Sequence, residues 1–432
     1  MLSAIATRLN AIPHPADRRL AVHVKPAAVR AIRAGHPWLF EDSIRRLSHE
    51  ARAGDLAVIF DQDRDFLAVG LYDPTSIIRV RVLQANQPAP IDKAWLQATI
   101  RKAAAIRAGL PAQGTTAYRL VHGENDGLPG VVVDRYQDTL VLKLYTPAWV
   151  PWLGLLLPAL LEVQPAARIV LRLSRQLEAQ PDLLYGLDDG TLVLGDPFNG
   201  LVEFQENRLR FRADVFRGQK TGFFLDQREN RARLETLCSS AKVLNLFAYT
   251  GGFSLYAARG GARSVLSVDL SQPALEAAAA NFALNPTATA NCQHETRAGD
   301  VFEVLEELVA GRQQFDVVVV DPPSFARRQE DVPGALAAYR RLAGLSLRCV
   351  RPGGWWINCS CTSRIQAADF YELNMRQADQ AGFELADVHH TEHPIDHPVT
   401  FAEGAYLKCL WARVHGYQAA AAPENHTLPT KC

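Results

Sequence analysis

Residues 243–254 read VLNLFAYTGGFS, an apolar run that ends in two glycines and passes into residues of good helix propensity. Gly251 and Gly252 fall in the turn where a strand enters a helix, and a missing Cβ there lets backbone approach a ligand closely. Further apolar runs follow with helical stretches between them: SVLSVDL (264–270), FDVVVVD (315–321) and WWINCSC (355–361). Val317 to Val320 are apolar on both alternating faces, as strands covered by helices on both sides are. The alternation predicts a doubly wound α/β domain whose ligand lies outside the carboxyl ends of its strands. A final strand is expected over 405–414 (AYLKCLWARV).

Working outward, residues 20–90 carry the short β-rich runs LAVIFD, FLAVGLYD and SIIRVRVL, separated by Gly, Asp and Pro. They predict a small barrel or twisted sheet. GHPWLFEDSI near its start sets Trp38 and Phe40 close to Arg45 and Arg46. Residues 91–200 read as an α+β region. It has a helix over 92–108 and strands over 118–122, 130–135 and 139–144, with GENDGLPG turning between the first two strands. A third region, 201–415, holds the doubly wound pattern, and the tail over 416–432 is expected to be disordered. No internal repeat is evident.

The chain has 432 residues, 48% hydrophobic and 21% charged, which excludes disordered, collagenous and disulfide-scaffold classes. Lys plus Arg (46) balances Asp plus Glu (46), so bulk charge cannot hold nucleic acid and any such site is local. Eight basic residues fall between 205 and 233, namely Arg208, Arg210, Arg212, Arg217, Lys220, Arg228, Arg231 and Arg233, against four acids. With Arg45, Arg46, Arg327 and Arg328 they are candidates for a phosphate track. The plainer reading is a solvated, salt-linked face. Seven scattered cysteines suit a reducing compartment, and the longest apolar run (149–161) is broken by Pro151 and Pro158. A soluble, cytoplasmic protein without metal is expected, and no membrane partner. Whether it pairs as a homodimer is open.

The turn lacks the full G-x-G-x-x-G fingerprint, and no P-loop lysine follows, which disfavours a pyrophosphate ligand. Asp269 ends the second strand eighteen residues after Gly251, where an acid can accept both hydroxyls of a ribose. Asp300 follows TRAG in the same kind of position and suits an adenine amino group. An adenosine without phosphates fits, and S-adenosylmethionine (S-adenosyl-L-methionine) is the candidate cofactor. Either acid can instead cap the following helix, as Ser271 can with Pro273 in the first turn. Asp321-Pro322-Pro323-Ser324-Phe325 closes the fourth strand. Its carbonyls and carboxylate can orient a planar base, with Phe325 as a stacking face.

The segments FRGQKTGFFLDQRENR, VLNLFAYTGGFS, SVDLSQPALEAAAANFALN, FDVVVVDPPSF, NCSCTS and DHPVTFAEGAYLKC resemble the bacterial large-subunit ribosomal RNA (cytosine-5) methyltransferases of the RlmI type. The resemblance spans nearly the whole chain and implies a PUA-like RNA-binding domain (20–90), a central α+β domain (91–200) and a Rossmann-like class I methyltransferase domain (201–415). It places Phe247, Tyr249, Thr250, Gly251, Asp269, Asp300 and Asp321 at the S-adenosylmethionine site. Lys220, Thr221, Gly222, Asp226 and Arg228 fall in the segment that covers the cofactor. Arg208, Arg210, Pro322, Pro323 and Phe325 are expected at the RNA, the large-subunit ribosomal RNA.

Cytosine C5 is too weak a nucleophile to take a methyl from a sulfonium unless a thiolate first adds at C6. The resemblance puts that cysteine at Cys359; Asp321, one strand away, can in its protonated form hydrogen-bond the N3 edge of the base and so support ring attack. Cys361, two residues along the strand, faces the same side, so spacing alone leaves both cysteines open. Many RNA cytosine-5 methyltransferases carry a second cysteine after the proline of the strand-four motif, but Pro322-Pro323-Ser324 has none, which leaves the base that removes the C5 proton unassigned. The target base must leave its stack to reach such a thiol. A guanine- or adenine-nitrogen methyltransferase and a noncatalytic RNA-binding factor remain as alternatives, since the Asp-Pro-Pro motif also serves nitrogen targets.

Overall fold

The structure is a computed structural model that describes residues 8–326 and 328–417. The tail expected to be disordered, 416–432, begins inside a strand that reaches Tyr417; its remainder and the role of Arg327 lie outside the described residues. The chain forms two compact units, residues 1–226 with 394–405 and residues 227–393 with 406–432.

The first unit opens with a six-stranded sheet built from Leu20–Val24, Trp38–Phe40, Ile44–Leu47, Leu56–Phe60, Phe66–Tyr72 and Ile78–Ala85. Helix Pro26–Arg33 lays Val29 and Ile32 on its core of Leu20, Val22, Ile59 and Ala68. A five-stranded sheet follows, and the expected strands appear at Ala117–His122, Val131–Tyr136 and Thr139–Leu144. The expected helix spans Lys93–Arg107, started by the Asp92 side chain accepting from the Trp95 amide at 2.9 Å. The run 149–161, given no structure from sequence, holds part of a 3-10 turn (Pro147–Trp152) and most of helix Leu153–Val163.

Hairpin Leu201–Glu206/Leu209–Asp214 was expected with the downstream domain, whose boundary was drawn at 200/201. The break between compact units falls at 226/227 instead. Thr116 explains the difference: its amide donates to the Gln205 carbonyl at 2.8 Å, and its hydroxyl accepts the Gln205 amide at 2.9 Å. Buried Phe204 also packs edge-on against Tyr136.

The second unit holds a seven-stranded sheet: β1 (Lys242–Leu246), β2 (Ser264–Asp269), β3 (Gln293–Ala298), β4 (Phe315–Val320), β5 (Val350–Ser360), β6 (Phe383–Thr391) and β7 (Lys408–Tyr417). The order is β3-β2-β1-β4-β5-β7-β6. Every pairing is parallel except those of β7, which runs antiparallel to both neighbours. The helices are α1 (Arg228–Glu235), α2 (Gly252–Arg259), α3 (Gln272–Ala283), α4 (Val301–Ala310), α5 (Val332–Arg348) and α6 (Ala367–Gln380), with a single turn at Pro286–Thr289.

The apolar run on β4 is split between two cores by its pleat. Val317 and Val319 join Leu234 of α1 and Phe253 of α2, whereas Val318 and Val320 join Leu305 of α4 and Leu342 of α5. This doubly covered sheet puts the ends of β1, β2, β4 and β5 along one edge.

Candidate active site

The turn after β1 is strained in a way its sequence does not advertise. Phe247, Tyr249 and Gly251 all have positive φ, at 58°, 47° and 77°. Only glycine adopts this region without cost, and the two aromatic residues each hold it at about 1–2 kcal/mol. A Cβ at Gly251 would stand 2.8 Å from the Ala278 Cβ of α3, so side-chain-free backbone is required twice over. Asp269 braces the turn: Oδ2 accepts the Tyr249 amide and Oδ1 the Ser271 amide, both at 2.8 Å. Asn281 of α3 donates to the Thr250 carbonyl at 2.9 Å. The Thr250 hydroxyl, on a residue only 7% exposed, has no partner among the described residues. Leu270, the residue just after β2, is 75% exposed and offers an apolar surface next in sequence to the carboxylate. A bare-backbone turn, an unpartnered buried hydroxyl, a half-buried carboxylate and an apolar face together fit a nucleoside with a polar tail.

Asp300 sits at the end of β3, where its Oδ1 accepts the Phe302 and Glu303 amides at 2.8 and 3.3 Å. It is the N-cap of α4, the plainer of its two sequence readings, with one oxygen already committed.

Beyond β4, Asp321 is half-buried and accepts from Gln227 Nε2 at 2.9 Å. Pro322 is buried, Pro323 is exposed, and half-buried Phe325 packs edge-on against Tyr339. The expected nucleophile, Cys359, lies inside the core at 0% exposure, among Val317, Val319 and Ile357. Its Sγ lies 2.9 Å from that of Cys409, its partner in register on β7. Burial, the Cys409 thiol and the Asp321 charge push the Cys359 thiol well above its usual range, against a hydrogen bond from Gln227. The expectation for Cys359 therefore meets a physical obstacle: its sulfur is covered, and thiolate is disfavoured there.

Cys361 comes just after β5 and is half-buried, with its thiol 3.8 Å from the Pro322 carbonyl. The turn it begins is tied down by buried Lys408, whose ammonium donates to the Thr362 and Ile365 carbonyls at 2.6 and 2.8 Å. Burial takes Lys408 down to about 8, opposed by the Cys361 sulfur, which places the two within electrostatic reach. Tyr339 links the same turn to α5, its hydroxyl 2.8 Å from Ser360 Oγ and 2.9 Å from Thr362 Oγ1. Burial raises Tyr339 to about 12, so it stays a neutral phenol.

The covering-segment residues Lys220, Thr221, Gly222 and Asp226 belong to the first unit. Lys220 pairs with Asp226 at 2.5 Å, and Thr221 donates to Asp134 at 2.5 Å. Burial alone would raise Asp226, but the charges of Lys220 and His397 outweigh it and hold the carboxyl far below the carboxylate range. Gly222 has φ 130°, and a Cβ there would crowd Ala213 at 3.0 Å. Arg228, the first residue of α1, is buried and pairs with Glu229 at 3.1 Å.

The basic cluster divides. Arg208, Arg210, Arg212 and Arg217 are exposed, and Arg210 and Arg212 both pair with Glu203. Arg228 and Arg231 are buried, so no phosphate track runs over them, and Arg233 lies over the Trp411 ring. Arg45, Arg46 and Arg328 are exposed.

Sequence reasoning missed Gln227, Asn230, Asn281 and Lys408. The signal was present for the first two: amides three apart share a helix face, and here that face is buried.

Comparison with known proteins gives a consistent picture. The S-adenosylmethionine-dependent methyltransferase family matches residues 158–413, and a PUA-like domain matches residues 22–85. The chain is 45% identical to a ribosomal RNA large subunit methyltransferase of Deinococcus radiodurans over 93% of its own length and 99% of the relative's. It is 34% identical to ribosomal RNA large subunit methyltransferase I of Aliivibrio fischeri (strain MJ11), over 91% and 99%. Among solved structures, a SAM-dependent methyltransferase assignment from Streptococcus mutans superposes with TM-score 0.77 at 21% identity, covering 91% of this chain and all of that one. Another methyltransferase structure, complexed with SAH, gives TM-score 0.78 at 22% identity over 92% and 100%. At these identities the structures speak for the fold.

Proposed function

We infer that this chain, which belongs to the S-adenosylmethionine-dependent ribosomal RNA large subunit methyltransferase I family, methylates C5 of a cytosine in large-subunit ribosomal RNA in the cytoplasm, with Cys361 as its nucleophile. S-adenosylmethionine is its cofactor, and when bound it supplies an electrophilic methyl group. Residues 247–251 and Asp269 hold the nucleoside, and Asp269 takes the ribose hydroxyls. Asp321 and the Pro322 carbonyl grip the edge of a flipped pyrimidine, and Phe325 lies beside its ring. The Cys361 thiolate adds at C6 and makes C5 a nucleophilic carbon. After methyl transfer, loss of the C5 proton expels the thiolate and restores the aromatic ring.

The observation that carries this reading is the Cys361 thiol beside the Asp321-Pro322 turn, 3.8 Å from the Pro322 carbonyl. Lys408 favours its ionised form. RNA contacts beyond the base are assigned to the exposed Arg208, Arg210, Arg212 and Arg217 and to the PUA-like domain. Mass-spectrometric mapping of the methylated atom in ribosomal RNA from a deletion strain and its parent tests the reading. A 5-methylcytosine missing only from the deletion strain supports it, and a missing nitrogen methylation overturns the cysteine mechanism.

A further inference from the structure

Behind Asp321 the second unit contains a polar line whose other members the reaction above does not use. Trp411 Nε1 on β7 donates to Thr391 Oγ1 at the end of β6 at 2.8 Å. The Thr391 hydroxyl donates to Asn230 Oδ1 of α1 at 2.6 Å. Asn230 Nδ2 donates to Gln227 Oε1 at 2.6 Å, and Gln227 Nε2 donates to Asp321 Oδ1 at 2.9 Å. Gln227 and Asn230 are 2% and 1% exposed, so water does not compete for these groups.

The line takes its direction from its Asp321 end, where an ionised carboxylate can only accept. At the far end the indole N–H only donates, so Thr391 accepts from it, and its own hydrogen goes to Asn230 Oδ1. Asn230 then presents its NH2 to Gln227, and Gln227 presents its NH2 to Asp321. Amide orientation is normally ambiguous by shape alone. Here, turning Gln227 over would set oxygen against a carboxylate oxygen at one end and NH2 against NH2 at the other. The ionised Asp321 is therefore met at Oδ1 by a donor.

We propose that Gln227 is a positioning residue for Asp321, holding Oδ1 as a permanent acceptor so that a proton on this carboxyl resides on Oδ2. The Trp411–Thr391–Asn230 line fixes the Gln227 amide in the sense that does this. The consequence is chemical as well as steric. The carboxyl plane is set before the base arrives, and one oxygen alone carries the proton that a pyrimidine N3 edge accepts. The proposal rests on the reading that Asp321 contacts the base.

The test measures kcat and KM of the full-length protein on large-subunit ribosomal RNA across pH 6–9, with S-adenosylmethionine affinity measured separately. Q227L should leave cofactor affinity near wild type and lower kcat by about ten- to a hundredfold, the effect of losing one buried hydrogen bond to a charged acceptor. Leucine at a buried polar site can disturb the start of α1, so Q227E is the decisive variant. Its introduced carboxyl repels Asp321 when ionised and donates when protonated, so its kcat should recover as pH falls while that of Q227L does not. Wild-type kcat and an unchanged pH profile in both variants overturn the proposal. Asp321→Ala separates the two levels. If it keeps wild-type kcat, the reading of Asp321 itself fails; if it loses activity while Q227L and Q227E do not, only the positioning role fails.

Discussion

Replacing Asp269 with alanine removes two kinds of interaction that the structure lets us count apart. In the protein itself, Oδ2 and Oδ1 accept the Tyr249 and Ser271 amides at 2.8 Å each. Both sites are part-buried, so water recovers some of the loss, and two hydrogen bonds to a charged acceptor are worth about 2–3 kcal/mol of stability. The Tyr249 bond matters more than its length suggests, because that residue holds φ 47° against its preference. Without the brace, the turn is free to relax out of its strained form. On the cofactor side, two ribose hydroxyls lose a charged acceptor, about 1.5–3 kcal/mol, or roughly ten- to 150-fold in Kd. Titration calorimetry with S-adenosylmethionine and urea unfolding without it read the two losses separately. Asp269→Asn keeps one oxygen but turns an NH2 toward one of the two amides, so it should fall between wild type and alanine in both assays. Unchanged cofactor affinity in a folded Asp269→Ala protein would refute the ribose assignment.

Further expectations follow from other sites. Removing Arg208 and Arg210 together should lower the slope of log affinity for RNA against log salt by about 0.7–0.9 per lost phosphate contact, with cofactor affinity unchanged; an unaltered slope puts both on a solvated face. Lys408→Met should slow iodoacetamide alkylation of Cys361 at neutral pH and Lys408→Arg should largely keep it, whereas equal rates in both would remove the ammonium from the chemistry of the thiol. His294 is pushed down to about 4 by burial, so it stays neutral in the folded protein. The unfolded chain takes up this proton below about pH 6.5, so stability should fall between about pH 6.5 and 4 by on the order of 1–3 kcal/mol. His294→Gln should flatten that part of the urea midpoint against pH.

The fold was legible where a residue pattern has one physical solution. Four consecutive valines demand cover on both sides, and Val317 to Val320 receive it, two to each core. Paired glycines mark the turn from a strand into a helix, and Gly251 stands there with positive φ. Legibility failed where the deciding quantity is burial. Cys359 and Cys361 share a strand face in sequence, but β7 covers the first with Cys409 and leaves the second at the strand end. Arg228 and Arg231 carry the same charge as Arg210 and lie inside. Asp300 shows the limit of position alone, since the strand end suited to a ligand is also the start of the next helix. The hairpin 201–214 keeps company with the first unit through the pairing of Thr116 with Gln205, residues 89 positions apart, which no local pattern records.

The central claim, a covalent cysteine mechanism through Cys361, is tested most directly with ribosomal RNA transcripts carrying 5-fluorocytosine and S-adenosylmethionine. Fluorine cannot leave as a proton after methylation, so the enzyme should be trapped as an adduct stable to denaturation. We expect that adduct with wild type and Cys359→Ala, and none with Cys361→Ala, whose cofactor affinity should be unchanged. An adduct that requires Cys359, or no adduct with the methyl group found on a ring nitrogen, would contradict the account.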